Sequence, residues 1–424
     1  MARNDLQPPR GTRDFYPEDM RLRTWLFGVF REVARRFGFE EVDAPVLEHA
    51  ELYQRKAGEE IVDQLYHFEL HGRHLALRPE LTPQLARMVM ARQGALRWPL
   101  RWFAIPQCWR YERMTRGRRR EHFQWNMDIW GESSVTAEAE LLAALFAATE
   151  VMGLGPGDVR VRLNHRALLE ETLRSSFLAG RPEAFAPLCV VVDKLEKQAV
   201  IDQIADPKGP VGLDPGAARE VVAWLGVRDF EEAARRAPPG SPAVAELRRL
   251  FELLEAYGLG DRVVFDASVV RGLAYYTGVV FEAYDDAGAL RAVCGGGRYD
   301  RLLESLGGRP VPAVGFGFGD AVIAELLAER GLLPETPRRL DAVVYPLSEE
   351  ERPAAIRLAR RWRGEGRAVE LVLGAGLRMR RVLADADKAG ARCLAVIGPE
   401  ERARGVMRVR DLTRGEEREE ELPE

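Results

Sequence analysis

The residues with the clearest chemical potential lie in an arginine-rich stretch around positions 110–120. Arg110 and Glu112 are two positions apart, which places both side chains on one face of a strand. Five more arginines occur within the eight positions 113–120. A guanidinium binds phosphate oxygens through paired hydrogen bonds, and a nearby carboxylate can accept one from an exocyclic amine. The stretch therefore suits a nucleoside triphosphate, although a solvated basic turn with an ordinary Arg110–Glu112 ion pair explains it equally well.

Three other stretches combine residues that could bind a small ligand. In RGLAYYTG (271–278), the paired tyrosines could hold a planar polar ligand or pack into the core. In CGGGRYD (294–300), three consecutive glycines allow close approach of a ligand or form a tight strand-to-helix turn. In LRPELT (77–82), Glu80 and Thr82 could bind an ammonium group or cap the helix that begins there.

Hydrophobic periodicity predicts the elements that position these stretches. The relevant elements are strands over 102–110, 124–130, 278–284, 290–293 and 314–318, and helices over 20–37, 80–90 and 320–329. The two strands over 102–110 and 124–130 enclose the basic loop. The acidic end of the chain, 416–424, is predicted to be a frayed, solvated tail.

The same patterns divide the chain into domains. Residues 1–165 and 258–330 are predicted to form one domain, interrupted by a helical insertion over 166–257. A proline-marked linker over 331–339 leads to residues 340–424, where strands and helices alternate. This alternation predicts a parallel sheet in a small α/β domain.

Composition excludes several classes of protein. The 424 residues include 62 basic and 66 acidic side chains, so any nucleic-acid partner must be bound by local basic patches. No apolar run approaches the length of about 18 residues that a membrane span requires. The N-terminus lacks the apolar segment of a secretion signal. The four cysteines are far apart and the six histidines lack ligand spacing, so we expect a cytoplasmic protein without a protein-held metal.

Taken in order, the motifs resemble those of histidyl-tRNA synthetases, which are class II aminoacyl-tRNA synthetases. The matching stretches are GTRD (11–14), LRPELT, WRYER with RGRRREHFQW, RGLAYYTG, CGGGRYD and PAVGFGFG (312–319). The resemblance implies an antiparallel sheet flanked by helices, a helical insertion and a C-terminal α/β anticodon-binding domain. It also implies a homodimer, with residues 30–37 and Pro45 matching the motif at the family's dimer interface.

The resemblance further implies an activity and its substrates. L-histidine would react with ATP, accompanied by Mg²⁺, to give histidyl-adenylate and diphosphate. The histidine would then be transferred to the 3′-terminal adenosine of tRNA(His). The implied catalytic residues are Arg110 and Arg271. The implied ATP-binding residues are Arg110, Glu112, Arg118 and His122. The implied histidine-binding residues are Glu80, Thr82, Gln124, Asp128, Arg271, Tyr275 and Tyr276.

The sequence departs from the family pattern at three places. Gly319 is followed by Asp320, Ala321 and Val322, so the arginine of the usual glutamate–arginine pair is missing. Its γ-phosphate contact is then either lost or supplied elsewhere, for example by an arginine of the 113–120 loop. The order His122-Phe123 is reversed, which puts a histidine where an aromatic ring stacks on adenine. Asp128 replaces a glutamate and Ala274 replaces an aspartate in the histidine pocket.

Two alternative functions follow from these departures. One is a non-catalytic, histidine-sensing paralogue that regulates ATP phosphoribosyltransferase. The other is a synthetase-like RNA-binding protein without ligase activity. The C-terminal α/β domain and the basic loop both argue against the regulatory paralogue, so the ligase is the preferred interpretation.

Overall fold

The computed structural model describes residues 6–54, 64–176, 178, 180–194, 197–209, 211–270, 275–286 and 290–423. The chain divides into two compact units. The first contains the chain up to Asp14 together with Thr24–Leu333, and the second contains Phe15–Arg23 and the chain from Pro334 onward. In the part of the chain that is described, no helix is long and apolar enough to cross a membrane.

The described α-helices are, in chain order, α1 (Pro17–Arg36), α2 (Ala50–Gln54), α3 (Thr82–Arg92), α4 (Thr136–Val151), α5 (Arg166–Ser175), α6 (Phe185–Lys194), α7 (Lys197–Ala205), α8 (Pro215–Leu225), α9 (Phe230–Arg236), α10 (Pro242–Ala256), α11 (Leu302–Ser305), α12 (Asp320–Glu329), α13 (Arg352–Gly364), α14 (Met379–Lys388) and α15 (Pro399–Ala403). Short 3₁₀ turns occur at Pro182–Ala184 and Gly260–Arg262.

The described strands are β1 (Glu40–Glu41), β2 (Leu47–His49), β3 (His67–Leu70), β4 (Arg73–Leu77), β5 (Leu100–Ala104), β6 (Gln107–Trp109), β7 (Glu121–Trp130), β8 (Val159–His165), β9 (Val263–Phe265), β10 (Val279–Asp285), β11 (Cys294–Arg298), β12 (Ala313–Gly319), β13 (Leu340–Pro346), β14 (Val369–Leu371), β15 (Ala391–Ile397), β16 (Val406–Asp411) and β17 (Glu417–Glu421).

Nine of the described strands form the central sheet of the first unit. Their order is β1-β5-β7-β12-β11-β10-β8-β9, with β6 paired beside β7. The pairings are antiparallel except for β1 with β5 and β8 with β9, which are parallel. Strands β2, β4 and β3 form a separate, smaller sheet in the order β2-β4-β3. The hairpin between β3 and β4 has His71 and Gly72 as its turn residues. Both have positive φ, as a two-residue turn of type I′ requires.

Helix α1 forms one layer over the central sheet. Its buried residues Val29, Phe30 and Val33 recur at spacings of three and four, which places them on one face. The ring of Phe30 stacks on Trp125 of β7 with a centroid separation of 4.8 Å. The chain leaves the helix at Gly38, whose φ of +73° a side chain would disfavour. The helix lies close to the bounds that periodicity predicted.

Strand β7 has an apolar face and a polar face, because successive side chains of a strand point to opposite sides. The residues on the core side are Trp125, Met127 and Ile129. The residues on the other side are His122, Gln124, Asn126 and Asp128. The predicted ligand-binding residues of this strand therefore share one face of the sheet.

The glycines of CGGGRYD lie in strand β11 and not in a turn, and the strand predicted over 290–293 is wrong. Gly297 pairs with Gly315 of β12. A Cβ on Gly296 would overlap the carbonyl oxygen of Gly315, and a Cβ on Gly297 would lie 2.9 Å from the ring of Tyr276. Glycine is needed here because neighbouring strands and side chains approach closely, which local propensity does not reveal.

Six helices, α5 to α10, are described between β8 and β9. Apolar residues of this segment, such as Leu168, Trp224 and Leu250, are buried in the same hydrophobic core as the central sheet. The N-cap residue of helix α5 is His165, whose Nδ1 accepts a hydrogen bond from the backbone of Ala167. The segment therefore packs with the sheet that it interrupts.

The second unit contains a five-stranded sheet in the order β14-β13-β15-β16-β17, counted over the described residues. Strands β14, β13 and β15 are parallel, as predicted, and β16 and β17 add antiparallel pairings. The expectation of a frayed acidic tail is wrong, because β17 forms the edge strand. Arg410 donates a hydrogen bond to Glu417 over 3.2 Å, and Arg404 donates to Glu419 over 2.6 Å. Pairing with arginine thus stabilises acidic residues in a strand.

Candidate active site

A buried carboxyl group lies on the polar face of β7. Asp128 is 1% exposed, and one of its oxygens accepts a hydrogen bond from the hydroxyl of Tyr299. Its other oxygen has no hydrogen-bond partner among the described residues. Burial raises the pKa of Asp128 to about 7, although the hydrogen bond from Tyr299 acts in the opposite direction. A buried acceptor without a partner is costly, so this oxygen suits a polar ligand.

A second buried carboxylate lies near the first. Glu80 is 5% exposed and accepts a hydrogen bond from the Tyr275 hydroxyl over 3.0 Å. The ring centroids of Tyr275 and Tyr276 lie 5.8 Å and 6.3 Å from that of Tyr299. The negative charge of Glu80 also helps to raise the pKa of Asp128. Two tyrosine hydroxyls therefore donate to two carboxyl groups whose charges interact, and the ring of Tyr276 packs beside that of Tyr275.

Glycines on β12 make room for these polar side chains. A Cβ on Gly315 would overlap Oδ1 of Asp128 and would lie 2.6 Å from the hydroxyl oxygen of Tyr299. A Cβ on Gly317 would lie 3.1 Å from the side-chain amide of Gln124. The alternation of glycine and phenylalanine in PAVGFGFG therefore has a physical reason: phenylalanine fills the core face and glycine leaves space on the polar face.

The stretch LRPELT borders the same pocket without capping its helix. The N-cap residue of α3 is Leu81, which makes no side-chain cap, so the interpretation of Glu80 and Thr82 as helix caps is wrong. Thr82 is 8% exposed at the first position of the helix. The carbonyl of Pro79 accepts a hydrogen bond from Nε of Arg110 over 2.8 Å. This bond joins the predicted ammonium-binding residues to the predicted phosphate-binding ones.

A buried arginine that the sequence analysis did not single out supports this stretch. Arg78 is 2% exposed. Its guanidinium donates to the carbonyl of Gln107 over 2.8 Å, to Oδ1 of Asp43 over 2.8 Å and to the carbonyl of Ala44 over 2.6 Å. Arg78 therefore fixes the backbone from which Glu80 projects.

The predicted triphosphate-binding residues meet just beyond the end of β6. Arg110 and Glu112 do not lie on one strand as expected, because the backbone turns and the Glu112 amide donates to the Arg110 carbonyl over 2.9 Å. Their side chains are 3.9 Å apart, Nη1 to Oε1. The Glu112 carboxylate, which is buried, forms an ion pair with Nε of Arg118. Two guanidinium groups and one carboxylate are thus brought together.

His122 extends this group along the polar face of β7. Burial, followed by the positive charges of Arg110, Arg13 and Arg118, lowers the pKa of the His122 imidazole to about 3. The ring is therefore neutral near pH 7. Phe123 points to the opposite side, where its ring meets the edge of Phe27 at 5.3 Å. The reversed order of these two residues leaves histidine on the ligand face.

The residues that replace the usual glutamate–arginine pair have partners of their own. Asp320 accepts a hydrogen bond from Arg13 over 3.0 Å and another from the backbone of Phe123 over 2.9 Å. Arg13 also donates to Glu121 over 3.3 Å. Val322 lies against Gly117 in the basic loop. The motif GTRD thus supplies a cation to this region, although no role was predicted for Arg13.

Two family profiles match the sequence. The profile described as "Histidyl-tRNA synthetase" matches residues 11–319, and the one described as "Anticodon binding domain" matches residues 341–423. The chain belongs to the histidyl-tRNA synthetase family.

Individual histidyl-tRNA synthetases match over most of the chain. The chloroplastic/mitochondrial histidine--tRNA ligase of Arabidopsis thaliana is 49% identical, over 97% of this chain and 84% of its own length. The histidine--tRNA ligase of Opitutus terrae is 40% identical, over 95% of this chain and 93% of its own length. A solved structure from Bacillus halodurans, an "ATP phosphoribosyltransferase regulatory subunit/histidyl-tRNA synthetase", is 26% identical with a TM-score of 0.75, covering 93% of this chain and 98% of that one. The predicted fold class is confirmed.

Part of the predicted histidine pocket lies outside the described residues. Arg271 and Ala274 lie outside the described residues, so Arg271 has no place in the geometry above. Tyr299 belongs to the motif CGGGRYD, but no role was predicted for it. Its position two residues after the three glycines was the signal that could have indicated one. Within the described ranges, no group of three or more His, Cys, Asp or Glu side chains is placed to hold a metal ion.

Proposed function

We propose that this chain is a histidine–tRNA ligase. It activates L-histidine with ATP to give histidyl-adenylate and diphosphate, and transfers the histidine to the 3′-terminal adenosine of tRNA(His). The arrangement on β7 carries the proposal: His122 lies near Arg110 and Arg118 at one end, and Asp128 lies beside Tyr299 at the other. Six residues of strand span about 20 Å, which accommodates an amino acid joined to a nucleotide.

Selection of histidine rests on the two buried carboxyl groups. The oxygen of Asp128 without a described partner accepts the N–H of the imidazole, beside the ring of Tyr276. The α-amino group is held by Glu80, Thr82 and Gln124, with Tyr275 orienting Glu80. The predicted roles fit the burial of these residues, since leaving such an acceptor unpaired costs about 1–3 kcal/mol. An amino acid without a ring N–H is rejected for that reason.

Activation of histidine requires alignment and neutralisation of charge. The histidine carboxylate attacks the α-phosphorus in line, and diphosphate leaves from the opposite side. Arg110 and Arg271 stabilise the charge that develops on the α-phosphate. Glu112 accepts the exocyclic amine of adenine, and His122 stacks on the base. Mg²⁺ accompanies ATP as part of the nucleotide substrate, and Arg118 binds the outer phosphates.

The proposed domain roles follow the sequence boundaries. Residues 1–165 and 258–330 form the catalytic domain, 166–257 a helical insertion, 331–339 a linker and 340–424 the anticodon-binding domain. The match of the anticodon-binding profile supports the last role. Exposed Arg378 and Arg380, at the start of α14, offer cationic contacts to RNA phosphates.

A class II homodimer is part of the proposal. Its interface includes the end of α1 (30–37) and Pro45. Exposed apolar side chains on the small sheet and just before it support a contact surface next to Pro45. They are Val46, Leu47, Phe68 and Leu70. Light scattering with size-exclusion chromatography measures the subunit number, and a monomer would contradict this part.

We also propose a cytoplasmic location. The four cysteines are free thiols, which fits a reducing compartment. The Arabidopsis relative is named for chloroplasts and mitochondria, so fluorescence microscopy of the tagged chain has to distinguish the two locations.

The test of the proposed function is ATP–diphosphate exchange by the purified chain, with each of the twenty amino acids in turn. Exchange with histidine alone is expected, followed by charging of tRNA(His). Arg110→Ala should abolish exchange. Arg97→Ala, an exposed arginine without described side-chain contacts, is the matched control and should leave exchange unchanged. No exchange by a folded protein that binds histidine would support the regulatory paralogue instead.

A further inference from the structure

The basic loop, residues 113–120, is docked on helix α12. The helix presents Val322, Glu325 and Glu329, whose spacings of three and four place them on one face. Nε of Arg116 lies 3.4 Å from Oε2 of Glu325, and Nη2 of the same guanidinium forms an ion pair with Glu329. One arginine of the loop therefore bridges two carboxylates one helical turn apart.

The next residue of the loop makes the third contact. Gly117 has a φ of +71°, and a Cβ placed on it would lie 3.1 Å from Cγ2 of Val322. Glycine therefore permits both the backbone conformation and the close approach to the helix. A long side chain at position 322 would occupy the space that the loop fills.

The docked segment is the middle of a tight turn. The amide of Arg118 donates to the carbonyl of Thr115 over 3.0 Å, and the amide of Thr115 donates to the carbonyl of Arg118 over 3.4 Å. Holding Arg116 and Gly117 against α12 therefore fixes the backbone position from which the Arg118 side chain extends. That side chain forms its ion pair with the buried Glu112.

We propose that Arg116, Glu325 and Glu329 form a latch that positions Arg118 for the outer phosphates of ATP. The inference rests on the proposed function for its substrate. Arg116 is a positioning residue, since its guanidinium is directed to the helix. The side chains of Arg116, Glu325 and Glu329 are 56%, 36% and 28% exposed. Water screens such ion pairs, so the latch is weak.

The double substitution Glu325→Gln with Glu329→Gln tests the latch and leaves Arg116 in place. The KM for ATP in exchange should rise about two- to fivefold, the range that exposed ion pairs supply, while kcat and the KM for histidine stay unchanged. Glu252→Gln is the matched control, because Glu252 is an exposed carboxylate on α10 that pairs with Arg249. An unchanged or lower KM for ATP in the double variant would overturn the proposal.

Charge reversal separates a latch from direct phosphate binding by Arg116. Arg116→Glu should raise the KM for ATP, and adding Glu325→Arg together with Glu329→Arg should restore part of it. Direct binding predicts no restoration, because the cation would still be missing from the loop.

Limited proteolysis gives a readout that does not depend on activity. Trypsin cleaves after arginines, and the latch should protect the bonds after Arg116 and Arg118 by holding the loop closed. Cleavage at these bonds, mapped by mass spectrometry, should be faster in the Glu325→Gln, Glu329→Gln variant than in wild type or Glu252→Gln. Equal rates would refute the latch even if the chain is an active ligase. If the double variant is cleaved faster but the wild-type chain shows no exchange activity, the contact between the loop and α12 is upheld and the proposed function is refuted.

Discussion

The hydroxyl of Tyr299 donates a hydrogen bond to the carboxyl group of Asp128, and the absence of a side chain at Gly315 leaves space for this pair. One carboxyl oxygen is thereby fixed, and the other has no hydrogen-bond partner among the described residues. Burial and the charge of Asp128 raise the pKa of Tyr299 well above its ordinary value, so Tyr299 remains a donor. The pair presents one oriented acceptor.

The affinity for histidine should depend on pH through Asp128. Its pKa is raised to about 7, so it is protonated below that pH and ionised above it. The ionised form is the better acceptor for an imidazole N–H, and the KM for histidine should fall between about pH 6 and pH 8. Exchange kinetics across this range measure the fall.

Asp128→Asn provides the comparison for that profile. Free histidine itself loses a proton near pH 6.5, in the same range. The difference between the wild-type and Asp128→Asn profiles isolates the contribution of Asp128. Parallel profiles would show that Asp128 does not titrate in the site.

The same substitution should stabilise the ligand-free protein at high pH. A raised pKa means that the folded state keeps a proton that the unfolded state releases above its ordinary pKa of 3.8. The free energy of unfolding therefore falls as the pH rises toward 7, and asparagine avoids this loss. Denaturant unfolding at pH 5 and pH 8 should show Asp128→Asn gaining stability relative to wild type, more so at pH 8. An equal gain at both values would argue against a buried titrating carboxyl.

Gly315→Ala should damage the histidine pocket. The added methyl group would overlap Asp128, and overpacking of this kind costs about 1–3 kcal/mol. The KM for histidine should rise at least tenfold in exchange assays, with a smaller effect on the KM for ATP. Gly28→Ala on α1 is the control, since a Cβ there meets nothing within 4 Å and should slightly stabilise the helix. Equal effects on both KM values would mean a general loss of folding.

Glu138→Ala should strongly lower the free energy of unfolding. Nε and Nη2 of Arg298 donate to the two oxygens of Glu138 over 2.6 Å and 2.7 Å, and both side chains are buried. Without Glu138, the buried Arg298 guanidinium keeps the half-buried Asp300, 3.3 Å away, as a carboxylate partner, and breaking a buried ion pair costs about 3–5 kcal/mol. By contrast, Glu231→Ala breaks an exposed pair with Arg248 and should cost less than about 1 kcal/mol. A similar small loss in both variants would contradict the role given to burial.

Periodic elements were the most predictable part of the fold. Helix α12 was predicted over 320–329 and observed at the same residues, because its apolar positions recur at helical spacing. The polar face of β7 was also readable, since Gln124 and Asp128 alternate with buried apolar residues. Local pattern is sufficient where burial follows a single period.

Features that depend on distant partners were not predictable. The glycines of β11 looked like a turn because the contacts that require them come from Phe281, Tyr276 and β12. Strand β17 looked like a tail because its stability comes from Arg404 and Arg410, outside the acidic run. Arg78 looked like part of a motif, and only its buried surroundings reveal a positioning role.

The glycines beneath the pocket also restrict how its specificity can change over generations. Every substitution at Gly297 or Gly315 adds atoms, because no amino acid is smaller than glycine. A single mutation there can fill space beside Tyr276 or Asp128 but cannot create it. A bulkier amino acid could be accepted only after a change in a larger side chain of the pocket, such as Tyr276. Mutation of the two glycines can therefore only remove space from the site.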